Sequence, residues 1–413
     1  MSMRRILIAE RGPLASLLHR SLMASGYETV AIFGERDELA PHVEEATYAA
    51  YVPGLDRKAD LVGAALDAGC DCLHPGAGPL AESAELASAC REAGLAFIGP
   101  FPEQIEGLSD RWVTRELCVA SAVPVVPGSP LLINHQEIRQ AAEGLDFPLW
   151  LKNPWGLEPM RFDEIEGLVE EGTARIHAGQ KVWLEQHVDN ARHVTVTVVA
   201  DREGEVVALG VQERSSRREG RLSIEQAPAP VSQVMAEGLQ EAAIAVAKAV
   251  RFVGVGSVGF LVDPSGAAPC IGLRPRLSLS MLLTDVRHGL RLAGLQVQVV
   301  SGQPIGWGQD QLDPQEVALS IRIRAMSRGT LGEWKLPEGV QLETAFASGM
   351  EVGEGALLGV LVIKHTSRPA CVVRAIAALN ELEIGGVETD AAACIEQLGD
   401  PTFWTGGVVA GKD

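Results

Sequence analysis

The sequence predicts an α/β protein that opens on a parallel sheet. Residues 5–9 form an apolar run, residues 14–25 an amphipathic helix, and Glu28–Phe33 a second apolar run. That β-α-β order joins parallel strands. Much later, two short apolar runs, 256–262 and 268–273, flank Pro264-Ser265-Gly266, the pattern of an antiparallel hairpin with turn formers between β-rich arms. With 413 residues the chain is long enough for two or three domains with substantial cores.

Taken in order, the first strand turns through Glu10-Arg11-Gly12-Pro13 into its helix. One glycine in that turn is too few for the dinucleotide fingerprint. Residues 60–68 read as a helix, Cys72–His74 as a short strand running into Pro75-Gly76-Ala77-Gly78-Pro79, 81–93 as a helix and 96–98 as a strand. In the hairpin, alternation puts Ser257, Gly259 and Leu261 on one face of the first arm, and Gly272 and Arg274 on one face of the second. Residues 274–285 then lead into a helix.

Composition narrows the function classes. Fifty-four acidic residues against 35 basic give a net charge of −19, which argues against nucleic-acid partners, since phosphate neutralisation needs a basic face. No apolar run reaches the length of a bilayer span, and Met-Ser-Met-Arg-Arg leads directly into the first strand without a signal peptide. The seven cysteines are scattered, and Cys70-Asp71-Cys72 lacks the spacing of a zinc knuckle or a redox pair. Reduced core thiols in a cytoplasmic protein are expected.

A set of ordered segments carries a resemblance. IAERG, HPGAGPLAES, FIGP, GLSDRWVTRELCVASAVPVVPGS, FPLWLK, WLEQHVDNARHV and EQAPAP occur in succession. They are similar to the landmarks IANRG, HPGYGFLSEN, FIGP, GDK…AGVPVVPGS, YPVIIKA, YMEKYLENPRHIE and EEAPAP of biotin carboxylase, the ATP-grasp subunit of acetyl-CoA and acyl-CoA carboxylases. The resemblance runs over nearly the whole chain. It implies a biotin carboxylase-like ATP-grasp fold: a Rossmann-like N-terminal domain over 1–108, a linker helix over 109–123, a lid over 124–200, and the ATP-grasp body with the C-terminal domain over 201–413.

ATP-grasp chemistry activates bicarbonate with ATP and needs phosphate clamps, magnesium on carboxylates, and a base beside an anion site. The resemblance assigns nucleotide contacts to Arg111, where the family has lysine, and to Lys152, Glu185 and His187. The family's glycine-rich phosphate lid is replaced by residues 153–160, which contain one glycine, two prolines without N–H groups, and Glu158. A non-cradling loop is expected there. The family's hairpin glutamates and asparagine, which hold magnesium, fall at Gly259, Gly272 and Arg274, so no metal ligands are expected.

Arg276 and Arg322 match the catalytic arginines, while the family's general base falls at Ser280, which has no useful basicity. Arg218-Glu219-Gly220-Arg221-Leu222 stands where the family has Arg-Arg-His-Gln-Lys, without its histidine. Together these predict a pseudoenzyme with no cofactor, or with ATP bound without magnesium. The two remaining readings are a working ligase with a rebuilt site and a nucleotide or anion sensor. The resemblance further implies a homodimer, or a mixed dimer with an active biotin carboxylase, docking biotin carrier protein and carboxyltransferase subunits from separate chains.

Overall fold

A computed structural model describes residues 3–405 apart from 36, 55, 56, 156–158, 313 and 315. The N-terminal part is a five-stranded parallel sheet. Arg5–Ile8 is its central strand, with Glu28–Phe33 and then Tyr48–Tyr51 on one side and Cys72–His74 and then Ala96–Phe97 on the other. The order therefore reverses at the first strand, and the crevice beyond the strand ends at such a point is where open α/β sheets place ligands. The edge strand Tyr48–Tyr51 is not foreseen from the sequence, because two alanines between tyrosines give no apolar alternation. The helix expected over 81–93 is two pieces, a 3-10 turn Pro79–Glu82 and the helix Ala84–Glu92. Ser83 separates them as N-cap, its side chain accepting from the Leu86 N–H.

The body is an eight-stranded sheet, antiparallel throughout. Its order is Cys270–Arg274, Gly254–Val262, Arg192–Ala200, Val206–Arg218, Arg221–Ala227, Val317–Arg324, Leu357–His365 and Gln341–Thr344. The helix Gln233–Ala249 covers one end of it through Leu239, Ala243, Val246 and Ala247. The segment Leu292–Val300 is apolar except for Gln296 and Gln298 and is buried almost completely, as a helix without a charged face must be. It docks the parallel sheet onto the body, its neighbours including Ile6, Ile8, Leu18 and Leu22. Gln296, its buried polar residue, is satisfied across that junction by His74 Nε2 at 3.2 Å and the Ile98 carbonyl at 3.4 Å.

A three-stranded sheet, Met160–Phe162, Leu149–Lys152 and Trp183–Gln186, packs with the helices His135–Glu143 and Ile165–His177 around Leu149, Leu151, Leu168 and Leu184. This small unit ends its sheet at Gln186. The strand Arg192–Ala200, which the sequence reading puts with the lid, runs inside the large sheet between Gly254–Val262 and Val206–Arg218.

Candidate functional site

A cavity of about 700 Å³ lies between the small sheet, the helix Arg111–Ala120 and the hairpin end of the large sheet. Strand alternation decides which side chains enter it. In Leu149–Lys152 the two leucines face the small core, so Trp150 and Lys152 point into the cavity. In Trp183–Gln186, Leu184 faces the core, and Trp183 and Glu185 face the cavity. Asp110 fixes the start of the helix Arg111–Ala120 by accepting from the N–H groups of Trp112 and Val113 at 2.9 and 3.1 Å.

Glu185 is the buried hub of the small-sheet wall. It pairs with Lys152, accepts from Trp183 Nε1 at 2.8 Å, and meets Arg115 Nη1 at 3.3 Å. His187 accepts at Nδ1 from Trp150 Nε1 at 3.0 Å, and its backbone N–H donates to the Pro148 carbonyl at 2.8 Å. On the opposite wall, Arg276 donates to Glu82 at 2.6 Å and to the Ala77 carbonyl at 2.5 Å. These partners lie in the segment that leaves the parallel sheet at the reversal of strand order, so Arg276 ties that crevice to the hairpin.

The hairpin forms as the sequence predicts, with Ser257 opposite Arg274 and Gly259 opposite Gly272. Its backbone is shaped around the two glycines. Gly272 has φ +121, which L side chains rarely adopt. A β-carbon on Gly259 would lie 2.9 Å from Ile271 Cγ1. Arg274 is surrounded by like charge. Burial and the guanidinium groups of Arg214, Arg276 and Arg111 lower its pKa, with Glu82 opposing. Burial, Arg214, Arg217 and Arg274 push His193 down to about 3. Seven cationic side chains line the cavity against two carboxylates, Glu82 and Glu185. Among the described residues no group of three His, Cys, Asp or Glu side chains is placed to hold a metal ion. The donor set at the hairpin fits an anion and does not by itself fit a divalent cation.

A second polar centre sits behind the cavity. Glu225 is fully buried on Arg221–Ala227, opposite Ser320. It pairs with Arg322 at 2.6 Å and with Arg214 at 2.9 Å, and it accepts from the Ser280 hydroxyl. Burial alone raises this carboxyl, but Arg322, Arg214 and Ser280 overcome burial and hold it at about 2. Alternation along Val317–Arg324 explains the placement: Leu319, Ile321 and Ile323 pack into the C-terminal core, so Ser320 and Arg322 face Glu225.

The structure thus brings Arg111, Lys152, Glu185, His187 and Arg276 to one cavity. Arg322 does not line it and is held by Glu225. Gly156, Leu157 and Glu158, on which the expected non-cradling loop rests, lie outside the described residues. Sequence reasoning did not single out Arg115, Arg214, Arg217 or His193. For Arg214 and Arg217 the local signal is the arginine spacing in ERSSRR, but it takes the place of Val206–Arg218 in the large sheet to bring them to the cavity, which His193 reaches from the neighbouring strand and Arg115 from the helix Arg111–Ala120.

A parallel sheet, a small sheet that helps enclose the cavity and a large antiparallel sheet beneath it define an ATP-grasp architecture. Residues 2–105 match the biotin carboxylase N-terminal domain, and residues 110–307 match the ATP-binding domain of the carbamoyl-phosphate synthase L chain. A biotin carboxylase of Halalkalibacterium halodurans is 30% identical, covering 98% of this chain and 95% of the relative. The alpha3 subunit of a biotin-dependent acyl-coenzyme A carboxylase of Mycobacterium leprae is 28% identical over 93% of this chain and 69% of its own. The chain belongs to the biotin carboxylase family. The biotin carboxylase domain dimer of Hydrogenobacter thermophilus 2-oxoglutarate carboxylase superposes with a TM-score of 0.92 at 27% identity, covering 99% of this chain and 97% of that one. That structure holds MgADP, ADP and bicarbonate. It corrects the expectation of no cofactor, or of ATP without magnesium, because the similar domain binds its nucleotide as the magnesium salt. The expectation assumed that the ion needs the hairpin carboxylates, whereas magnesium keeps water and phosphate oxygens among its ligands.

Proposed function

We propose that this chain takes a magnesium nucleotide in its cationic cavity and serves a biotin-dependent acyl-CoA carboxylase assembly as a noncarboxylating, regulatory or structural subunit. The observation that carries this reading is the closed network around Glu225. Arg322, which the resemblance makes a catalytic arginine, is already paired with a buried carboxylate. Ser280, at the position of the base, donates its hydroxyl hydrogen bond to that same carboxylate. A carboxyl held at about 2 is a poor proton acceptor at neutral pH. Arg276 is likewise committed to Glu82 and Ala77. The cluster of Arg111, Lys152 and Arg274 at the cavity supports binding of the nucleotide phosphates, with magnesium arriving on those phosphates.

The test uses the full chain. We expect MgADP to raise its melting temperature, as any ligand of the native state does. We also expect phosphate release from ATP, with free biotin, to be unchanged by added bicarbonate. Sedimentation is expected to give a dimer, alone or mixed with an active biotin carboxylase. Bicarbonate- and biotin-dependent phosphate release by the isolated chain would overturn the noncarboxylating role and establish a working ligase. That alternative draws on the identity to biotin carboxylase along nearly the whole chain. No melting shift with MgADP would remove the nucleotide from the reading.

A further inference from the structure

Cys118 and Cys270 are 152 positions apart, yet their sulfurs lie 3.5 Å from one another in hydrogen-bond contact. Cys118 projects from the helix Arg111–Ala120 one turn after Thr114, and both face the strand Cys270–Arg274. The strand side is held in place by its backbone. The Cys270 N–H donates to the Pro124 carbonyl at 2.7 Å, and the Gly272 N–H donates to Cys270 Sγ at 3.4 Å. We propose that Cys118 and Cys270 are a thiol modification site, a dithiol that a small hydroperoxide entering the cavity converts to an intramolecular disulfide.

Three features separate this pair from the other cysteines. Cys70, Cys72, Cys90, Cys371 and Cys394 are buried, and the thiols of Cys72, Cys371 and Cys394 turn to the backbone carbonyls of Arg5, Ile363 and Arg322 and not to a second sulfur. Burial pushes all five thiols up, Cys70 and Cys90 to about 11 and Cys371 and Cys394 to about 12. Cys118 moves the other way. The hydrogen bond with Cys270 lowers it, burial opposes, and Arg115 adds to the lowering. The same contact and burial push Cys270 up, so that Cys118 is the thiolate of the pair and Cys270 the thiol. The third feature is access, because both cysteines line the 700 Å³ cavity although each is nearly inaccessible on the outer surface.

The chemistry balances with the hydroperoxide as oxidant. The Cys118 thiolate attacks one peroxide oxygen, so an S–O bond forms and the O–O bond breaks. With hydrogen peroxide the departing hydroxide takes a proton and leaves as water. Cys270 sulfur then attacks the Cys118 sulfenic acid, an S–S bond forms, the S–O bond breaks, and a second water leaves with the Cys270 proton. Two thiols are oxidised by two electrons and the peroxide is reduced by two. The product ties the helix carrying Arg111 and Arg115 to the strand carrying Arg274, so one covalent bond joins two walls of the cavity.

The test treats the full chain with hydrogen peroxide at neutral pH, blocks remaining thiols with iodoacetamide after unfolding, and maps the digest by mass spectrometry. We expect a linked Cys118–Cys270 peptide lighter by two hydrogens, reversed by dithiothreitol, with the other five cysteines alkylated. In Cys270→Ser the Cys118 sulfenic acid has no resolving thiol and is trapped by dimedone. In Cys118→Ser no link forms. Recovery of Cys118 and Cys270 as two separately alkylated peptides after peroxide would overturn the proposal. So would accumulation of Cys118 sulfinic acid in the wild-type chain without a link. The wild-type digest decides even where a variant folds poorly.

Discussion

Glu225 is the residue on which the inner wall depends, and its substitution has a defined sign. In Glu225→Gln the amide keeps the shape but loses both ion pairs, leaving Arg322 and Arg214 in a buried site without a counter-charge. Removing one partner of such a network costs about 3–5 kcal/mol, and urea unfolding at pH 7 is expected to show a loss of that size. The pH dependence follows from the depressed carboxyl. Its ordinary value is 4.5 and its folded value is about 2. The stabilisation is therefore complete above pH 4.5 and is lost as pH falls from 4.5 toward 2, where the unfolded chain takes up the proton first. The gap between wild type and variant should be constant from pH 7 to 5 and start to close below 4.5. Equal stability at pH 7 would mean that the network contributes nothing. Sequence alone marks Glu225 only as part of EQAPAP, and the resemblance marks Arg322 as a catalytic arginine without naming its partner. Their pairing spans 97 positions and depends on which edges of two strands meet.

At the scale of the element, the hairpin tests how far the backbone has settled around its two glycines. Placing glutamates at Gly259 and Gly272 restores the acidic side chains that the resemblance expects, but the two sites differ physically. At Gly272 any side chain meets φ +121, with its β-carbon 3.3 Å from Thr114 Cγ2. Holding an L-residue in such a conformation costs about 1–3 kcal/mol. At Gly259 the obstacle is Ile271 Cγ1, 2.9 Å away, on a side chain that is stiff at χ1 but exposed, so that it has room to change rotamer. Gly272→Glu is expected to lower the urea midpoint more than Gly259→Glu does. The reverse order, or a Gly272→Glu protein as stable as wild type, would show that the positive φ is not needed. The hairpin itself is legible in the sequence, because alternation and turn formers are local signals. The register shift between Gly259 and Phe260 and the positive φ are not, since residues 270–272 meet partners far away in the chain, Cys270 the Pro124 carbonyl and Gly272 the Thr114 side chain.

Over the whole molecule, four of the five strands of the N-terminal sheet are readable from short-range pattern, all but Tyr48–Tyr51, whereas the order of the eight-stranded body is not. That order interleaves segments from residue 192 to residue 365, and no local period encodes it. The junction between the two parts carries a further consequence. His19 is fully buried, stacked on His42 with ring centroids 6.5 Å apart, and neither of its ring nitrogens has a hydrogen-bond partner among the described residues. His74, also fully buried, bridges to Gln296 on the docking helix. Burial pushes His19 down to about 3, with His42, His74 and Arg20 adding to it, and burial pushes His74 down to about 4 against the Gln296 bond. Both stay neutral in the native state while the unfolded chain protonates them near 6.5. Stability is thus complete above pH 6.5 and is lost as pH falls from there toward 4 for His74 and toward 3 for His19, by about 2 kcal/mol for each histidine at pH 5. This loss begins two pH units above the one at Glu225, so the two are separable in one titration. Replacing His19 with leucine removes a protonation site and two unpartnered nitrogens in similar volume. We expect His19→Leu to be at least as stable as wild type at pH 7 and to fall less steeply between pH 6.5 and 5, read as urea midpoints across that range. A variant with the wild-type slope would mean that His19 binds its proton equally in both states and that the junction opens in acid through other groups.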